Sequence, residues 1–188
     1  NMIVDIGGGT TEIAIIALGG IVCDESIRVA GDEFNLDILE YMRREHNLLI
    51  GERTAEEVKM AIGSAAKLSG ESDARIRGRD LVSGLPKDLM VSPKEIRDAI
   101  EDQLVKIISA IKATLDETPP DLVADLSRTG IVLAGGGALL KGLSERLTKE
   151  TGMPVRVAED PLYSVVIGAG KCVENIGMLQ QILAPEAR

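Results

Sequence analysis

The sequence predicts an α/β fold, arranged as one domain or as one domain with a subdomain inserted into it. Three observations carry that prediction. Two buried apolar runs, Met2-Ile3-Val4 and Ile131-Val132-Leu133, each lead into three consecutive glycines, Gly7–Gly9 and Gly135–Gly137. Ile96, Ile100, Leu104, Ile107, Ile108, Ile111 and Leu115 recur at helical spacing over about five turns, the stripe of a core helix. Finally, 188 residues with 45% hydrophobic content suffice for one sizeable core.

Along the chain, Met2-Ile3-Val4 and Ile13 to Leu18 read as strands joined by the turn Asp5-Ile6-Gly7-Gly8-Gly9-Thr10-Thr11-Glu12. The glycines are expected to adopt positive φ and to leave a row of amides free as an anion nest. Asp5, at the strand end, is placed to reach a metal ion or an ordered water, and Thr10 and Thr11 add hydroxyls. This combination suits a Mg-nucleotide: amides for phosphate oxygens, a carboxylate for the Mg²⁺ shell, a hydroxyl for attacking water. A plain Gly-rich hairpin is the competing reading, and Asp5 and the threonine pair favour phosphate.

Gly19-Gly20 turns the chain into a third strand, Ile21 to Val29, which Gly31-Asp32 breaks. Asp32 caps a helix to about His46 with Phe34, Ile38 and Tyr41 or Met42 on one face. Thr54-Ala55-Glu56-Glu57 reads as a capping box opening a helix with Val58, Ala61, Ile62 and Ala65 on one face. Glu56 and Lys59 project together from its first turn, in the plainest reading as a solvated ion pair. Residues 74–77 and a segment reaching Val91 form a short hairpin, with Arg75, Arg77 and Arg79 on a solvent face. Ser92-Pro93-Lys94-Glu95 starts the long helix with an N-cap, Pro at N1 and Glu at N3. Asp121 to Ser127 is a short helix, Gly130 to Ala134 a buried strand, and Leu139 to Thr151 a helix closed by Gly152. A glycine turn between strand and helix brings backbone close to a nucleotide, and tight packing explains Gly135–Gly137 equally well. Pro154 to Ala158 is a strand, Asp160-Pro161 opens the last helix, and the pattern fades after Ile176.

Composition narrows the function. With 30 acidic and 21 basic residues the net charge is −9, which argues against nucleic acid as the main partner. Aromatics are 2%, so the core is aliphatic and stacking on bases is largely unavailable. Cys23 and Cys172 lack metal-like spacing and read as reduced packing residues of a cytosolic protein. His46, the only histidine, is expected to be solvated; one histidine excludes a multi-His metal site and argues against a Ser-His-Asp triad. No apolar run approaches the ~20 residues of a membrane span. Strand residues follow Asn1 at once, so the chain is expected to be a piece of something longer.

These motifs together resemble the C-terminal half of an actin-fold ATPase, in particular the MreB family of bacterial actin homologues. Asp5 to Glu12 resembles the second phosphate loop of that superfamily. Glu56, Lys59 and Gly63 fall on its nucleoside-contacting E-x-x-K-x-x-x-G helix. Leu133-Ala134-Gly135-Gly136-Gly137-Ala138-Leu139-Leu140 resembles its adenosine motif, and Tyr163 to Gly170 resembles the "YSVWIGGS" helix of actin. Leu49-Ile50-Gly51-Glu52 and Asp160-Pro161-Leu162 point to MreB rather than to chaperones or sugar kinases, which share the triple-glycine loop.

The resemblance implies an actin/ribonuclease-H-like α/β domain, a mixed sheet with flanking helices, plus a smaller inserted α+β subdomain. Residues 1–29 and 92–188 would form the nucleotide-binding core (subdomain IIA-like), and 30–91 the insertion (IIB-like). It implies ATP and Mg as cofactors, with Asp5 holding Mg through water and Asp5 and Thr10 as the catalytic groups. Gly7, Gly8, Gly9 and Thr10 would take the phosphates; Glu56, Glu57, Lys59, Gly135, Gly136, Gly137 and Ala138 the nucleoside. Leu162 stands where actin has an adenine-stacking lysine, so base contacts would be aliphatic and backbone. The implied parent is a cytoplasmic ATPase at the inner face of the cell membrane. It polymerises into filaments of itself and organises cell-wall synthesis and rod shape. Its implied partners are the cell-wall elongation machinery and membrane-linked adaptors, with membrane contact only through the other half. The chain alone would be inactive. The alternatives are another actin-fold ATPase or kinase, chaperone- or sugar-kinase-like, and a non-catalytic interaction domain.

Overall fold

A computed structural model describes residues 1–175 of the chain. In chain order the elements are β1 (Met2–Ile6), β2 (Thr11–Ala17), β3 (Gly20–Ile27), α1 (Gly31–His46), β4 (Leu48–Leu49) and α2 (Glu52–Ile62). There follow β5 (Ala74–Asp80), β6 (Pro86–Val91), α3 (Pro93–Glu117), α4 (Pro120–Thr129), β7 (Ile131–Ala134), a 3₁₀ turn (Gly136–Leu139), α5 (Leu143–Thr151), β8 (Val155–Val157) and α6 (Ser164–Glu174). The main sheet runs β3-β2-β1-β7-β8. The first three strands form an antiparallel meander, and β7 and β8 add in parallel. This is the mixed sheet with flanking helices expected of the fold class. A second, antiparallel sheet, β4-β5-β6, lies with α1 and α2 between β3 and α3 in sequence.

The core is aliphatic, as the scarcity of aromatics requires. On β1 the alternate residues Met2, Val4 and Ile6 are fully buried. The stripe Ile96, Ile100, Leu104, Ile107 and Ile111 of α3 is equally buried, and α3 packs along α1, β2 and β3. The start of α3 follows the local chemistry: the Ser92 hydroxyl caps Glu95 N–H, and the Glu95 carboxylate accepts from Ser92 N–H at 2.8 Å. By the hydrophobic transfer scale, burying each of these large aliphatic side chains contributes about 1.5–3 kcal/mol.

Several local expectations are corrected. The third strand ends at Ile27, before Val29. Asp32 does not cap α1; Ala30 holds that place, its N–H donating to the Glu33 carboxylate at 2.9 Å. The Thr54 capping box does not form, because α2 already starts at Glu52 behind Gly51. Glu57 instead pairs with Arg53 on the exposed side of the helix at 2.8 Å. Residues 139–142 are not part of the helix running to Thr151: Gly142, at φ +73°, breaks the chain and α5 starts at Leu143. The last helix starts at Ser164, not at Asp160, and its Val165, Val166 and Ile167 are exposed. His46 is half-buried and bonded to Glu95 at 2.7 Å rather than solvated. Both cysteines are free thiols, and Cys172 is exposed instead of packed. Arg75 and Arg77 are exposed as expected and share Asp88 across the β5–β6 pair. The tail after Ile176 lies outside the described residues.

Candidate functional site

Both glycine turns and α2 open onto one cavity of about 560 Å³. Its polar wall includes Gly7, Gly8, Gly31, Asp32, Glu56, Lys59, Gly136 and Lys141, and its apolar wall includes Phe34, Met60, Leu139 and Leu162. The size is that of an ordinary small-ligand site.

The first turn is built differently from the expectation. None of Gly7, Gly8 and Gly9 has positive φ. What glycine supplies there is thinness: a Cβ on Gly7 would lie 3.3 Å from Thr10 O, and one on Gly8 would lie 3.5 Å from Asp32 Oδ2. Gly7 N–H closes the turn onto Thr10 O at 2.9 Å. The carbonyls of Gly7 and Gly8 accept from Gly31 N–H at 3.1 Å and Asp32 N–H at 2.8 Å, so the turn sits on the N-terminus of α1 and satisfies its orphan amides. These peptides are trans and planar, so the N–H groups of Gly8 and Gly9 point the opposite way, away from α1. Neither has a hydrogen-bond acceptor among the described residues. Two free amides on exposed glycines are the arrangement an anion nest requires. Thr10 is exposed beside them, whereas Thr11 is fully buried and spends its hydroxyl on Val29 O at 2.7 Å.

In the second turn glycine is compulsory. Gly135 has φ +79°, and a Cβ there would lie 2.2 Å from Ile6 O and 2.5 Å from Asp5 Oδ1. A Cβ on Gly137 would lie 2.2 Å from Ile6 Cγ2. Gly135 and the buried Ala138 therefore lie behind the cavity wall, packed on β1, while Gly136 and Gly137 line it. The contact with Asp5 joins the two turns. That carboxylate faces Glu12 across the β1–β2 register, and burial, then Glu12, push its pKa up. A partly buried carboxylate beside a second carboxylate is a place where a cation relieves repulsion.

On α2, Glu56 and Lys59 reach the cavity and Glu57 does not. Lys59 Nζ donates to Gly31 O at 2.9 Å, behind the phosphate-type turn. Burial lowers its pKa, opposed by Glu56 and Asp32. Sequence reasoning missed Asp32 and Gly31 as site residues, and missed Lys141. Asp32 carries a signal, an acidic residue directly after Gly31 where the strand pattern breaks, but the same signal equally fits a helix cap.

The open sheet β3-β2-β1-β7-β8, with an antiparallel meander extended by two parallel strands, and the cavity between two glycine turns belong to an actin-fold protein, as its structural neighbours show. The MreB5 of Spiroplasma citri bound to AMPPNP superposes with a TM-score of 0.91 at 41% identity, over 96% of this chain and 54% of that one. The MamK double helical filament, at 24% identity and a TM-score of 0.79, shares the fold over 93% of this chain and 54% of its own. Residues 1–181 match the family model described as MreB/Mbl protein, and the chain belongs to that family. The cell shape-determining protein Mbl of Bacillus subtilis (strain 168) is 47% identical over 179 residues, covering 95% of this chain and 54% of Mbl. The cell shape-determining protein MreB of Escherichia coli (strain K12) is 47% identical over 178 residues, 95% of this chain and 51% of that protein. The chain thus spans about half the length of the curated relatives it matches.

Proposed function

We propose that this chain forms one wall of the Mg-ATP cleft of an actin-like cytoskeletal protein that assembles into filaments and sets cell shape. The carrying observation is convergence: Gly7 and Gly8 of the first turn, Gly136 and Gly137 of the second, and Glu56 and Lys59 of α2 line one cavity, with Gly9 next to Gly8 in the chain and the Asp5 carboxylate against Gly135 beside it. The MreB5 relative, described with AMPPNP and with ADP, supports a nucleotide as the occupant.

Each residue has a part that its placement supports. The amides of Gly8 and Gly9 bind phosphate oxygens, with Gly7 and Thr10 closing the turn and the Thr10 hydroxyl orienting water. Lys59 and Glu56 hold the ribose side, and Gly136, Gly137, Met60, Leu139 and Leu162 enclose the base by backbone and aliphatic contact. Gly135 and Ala138 support that wall, and Glu57, paired with Arg53, acts only through the helix. Asp5 suits a Mg²⁺ held through water, since one carboxylate and substrate phosphates are the usual magnesium set. Bound Mg²⁺ would neutralise charge on the phosphates. Residues 30–91 are the inserted subdomain that carries α2, and 1–29 with 92–188 the core. The setting is the inner face of the cell membrane. There, self-assembly, the cell-wall elongation machinery and membrane-linked adaptors are the partners.

The test is hydrolysis by a polypeptide of the relatives' full length that carries this chain. Asp5→Ala abolishes Mg-ATP turnover with the circular dichroism spectrum unchanged. Turnover at the wild-type rate would remove Asp5 from the mechanism.

A further inference from the structure

Helix α2 carries Glu56 and Lys59 but packs mainly on α1 and β5, with few contacts to the layer that bears the second glycine turn. Something else must fix the distance between Lys59 and Gly136. The segment after α2 provides it. Gly63, Ser64 and Ala65 are buried, two cations take carbonyls of this segment, and a third takes one from the last turn of α2. Lys141 Nζ donates to Ala61 O at 2.6 Å, Arg146 Nη1 to Ala65 O at 3.1 Å, and Arg97 Nη1 to Ala66 O at 3.0 Å. Ala61 O belongs to the last turn of α2, where carbonyls have no helical partner and a cation is favoured.

The cations are themselves held. Arg146 makes a two-pronged pair with Glu101, 2.6 Å on each arm, and Arg97 pairs with Glu71 at 2.8 Å while also donating to the buried Ser64 hydroxyl. The two guanidinium side chains are only 16% and 14% exposed, while Glu101 keeps 42% of its side chain in solvent, so the arginines are held in place and the Glu101 carboxylate faces outward. Backbone completes the join: Ala65 N–H donates to Lys141 O at 2.7 Å, and Ser64 bridges Lys141 in parallel. Lys141 and Gly63 also line the cavity.

We propose that Arg146, Arg97, Glu101 and Lys141 form a clasp that sets the width of the nucleoside end of the cleft. They are positioning residues, acting through Lys59 and Glu56, and they leave the phosphate turn untouched. The inference rests on the nucleotide reading above. It requires that loosening the clasp weaken nucleoside recognition and spare polyphosphate recognition.

The experiment titrates the ¹⁵N-labelled chain with Mg-ATP and, separately, with Mg-tripolyphosphate, following amide shifts. Arg146→Lys keeps the charge but loses the fork, and Glu101→Gln provides a second variant that keeps shape. Each should weaken ATP by about tenfold, the scale of coupling within one contact network, and leave tripolyphosphate unchanged. In a Lys59→Ala background the same changes should have little further effect on ATP. Equal loss for both ligands, unchanged ATP affinity, or full additivity with Lys59→Ala would overturn the clasp and leave the nucleotide reading standing. Wild-type protein that binds tripolyphosphate but discriminates nothing about the nucleoside, or binds neither, would overturn both.

Discussion

Replacing Gly135 and Gly136 by alanine, one at a time, separates the two duties of the second glycine turn. Gly135 sits at φ +79° and ψ 172°, a region that only glycine occupies readily. The strain of an alanine there costs about 1–3 kcal/mol. Its Cβ would also lie 2.2 Å from the backbone oxygen of Ile6, the fully buried last residue of β1, which cannot yield cheaply. Overpacking of that kind adds about 1–3 kcal/mol. The sum, roughly 2–6 kcal/mol, is a large part of the ~5–15 kcal/mol that holds a typical domain folded. At a urea slope of about 2 kcal/mol/M the midpoint should fall by roughly 1–3 M. Gly136 is different. A Cβ there meets only Leu162 Cδ2 at 3.4 Å, on a side chain that is 62% exposed and free to turn away. Gly136→Ala should therefore hold its midpoint within the ~0.5 kcal/mol typical of surface changes. Urea titration followed by circular dichroism reads both. A Gly135→Ala midpoint equal to wild type, or Gly136→Ala as the weaker of the two, would refute the geometry.

Further expectations follow from the same contacts. Gly136→Val, whose branched side chain enters the cavity, should abolish ATP-induced shifts while the protein stays folded; unchanged affinity would return this turn to a packing role. Asp5→Asn should stabilise the ligand-free chain at neutral pH, because burial and Glu12 raise the Asp5 pKa above 3.8 and stability is lost as pH rises through that raised value. The difference should vanish at pH below 3.8, and a mutant no more stable at pH 7 would contradict it. Glu101 has the opposite sign. Its bonds from Arg146 hold its pKa below 4.5, so its contribution is full above 4.5 and fades as pH falls through the lowered value. Glu101→Gln should accordingly cost stability at pH 7 and progressively less in acid, by thermal unfolding. The 188-residue chain should bind Mg-ATP only in the millimolar range and not turn it over, since phosphoryl transfer needs clamping from several sides. Steady phosphate release, sensitive to Asp5→Ala, would mean that the chain holds a complete site.

Features with a local cause were legible in the sequence. Ser92, Pro93 and Glu95 start α3 by themselves, and the stripe from Ile96 to Leu115 needs no partner to be read. Alternation at Met2, Val4 and Ile6 likewise declares β1. The glycine triplets were legible as turns but not in their reasons. Gly7–Gly9 serve closeness without positive φ, whereas Gly135 serves both, and only the neighbours Thr10, Asp32 and Ile6 tell these apart. Thr54-x-x-Glu57 matches a capping box, yet the chain enters α2 earlier because Gly51 turns it at Glu52. The break at Gly142 depends on the pairing of Lys141 with Ser64, a contact between distant stretches that no local pattern encodes. Arg97 and Arg146 look like any helix-surface cations until Ser64, Ala65 and Ala66, the stretch that follows α2, are placed against them. The apolar residues of α6 announce a helix but not what it packs on, and among the described residues Val165, Val166 and Ile167 stay exposed.

The central claim is that the two glycine turns and α2 form a single nucleotide site. Mapping amide shifts of the labelled chain against Mg-ATP tests it most directly. The amides of Gly8, Gly9, Gly136 and Gly137 should move together along one binding curve, with the Lys59 side-chain signals following the same curve. Shifts confined to one turn, separate curves for the two turns, or shifts clustered instead along the groove of Leu36, Arg43 and Leu49 would contradict it.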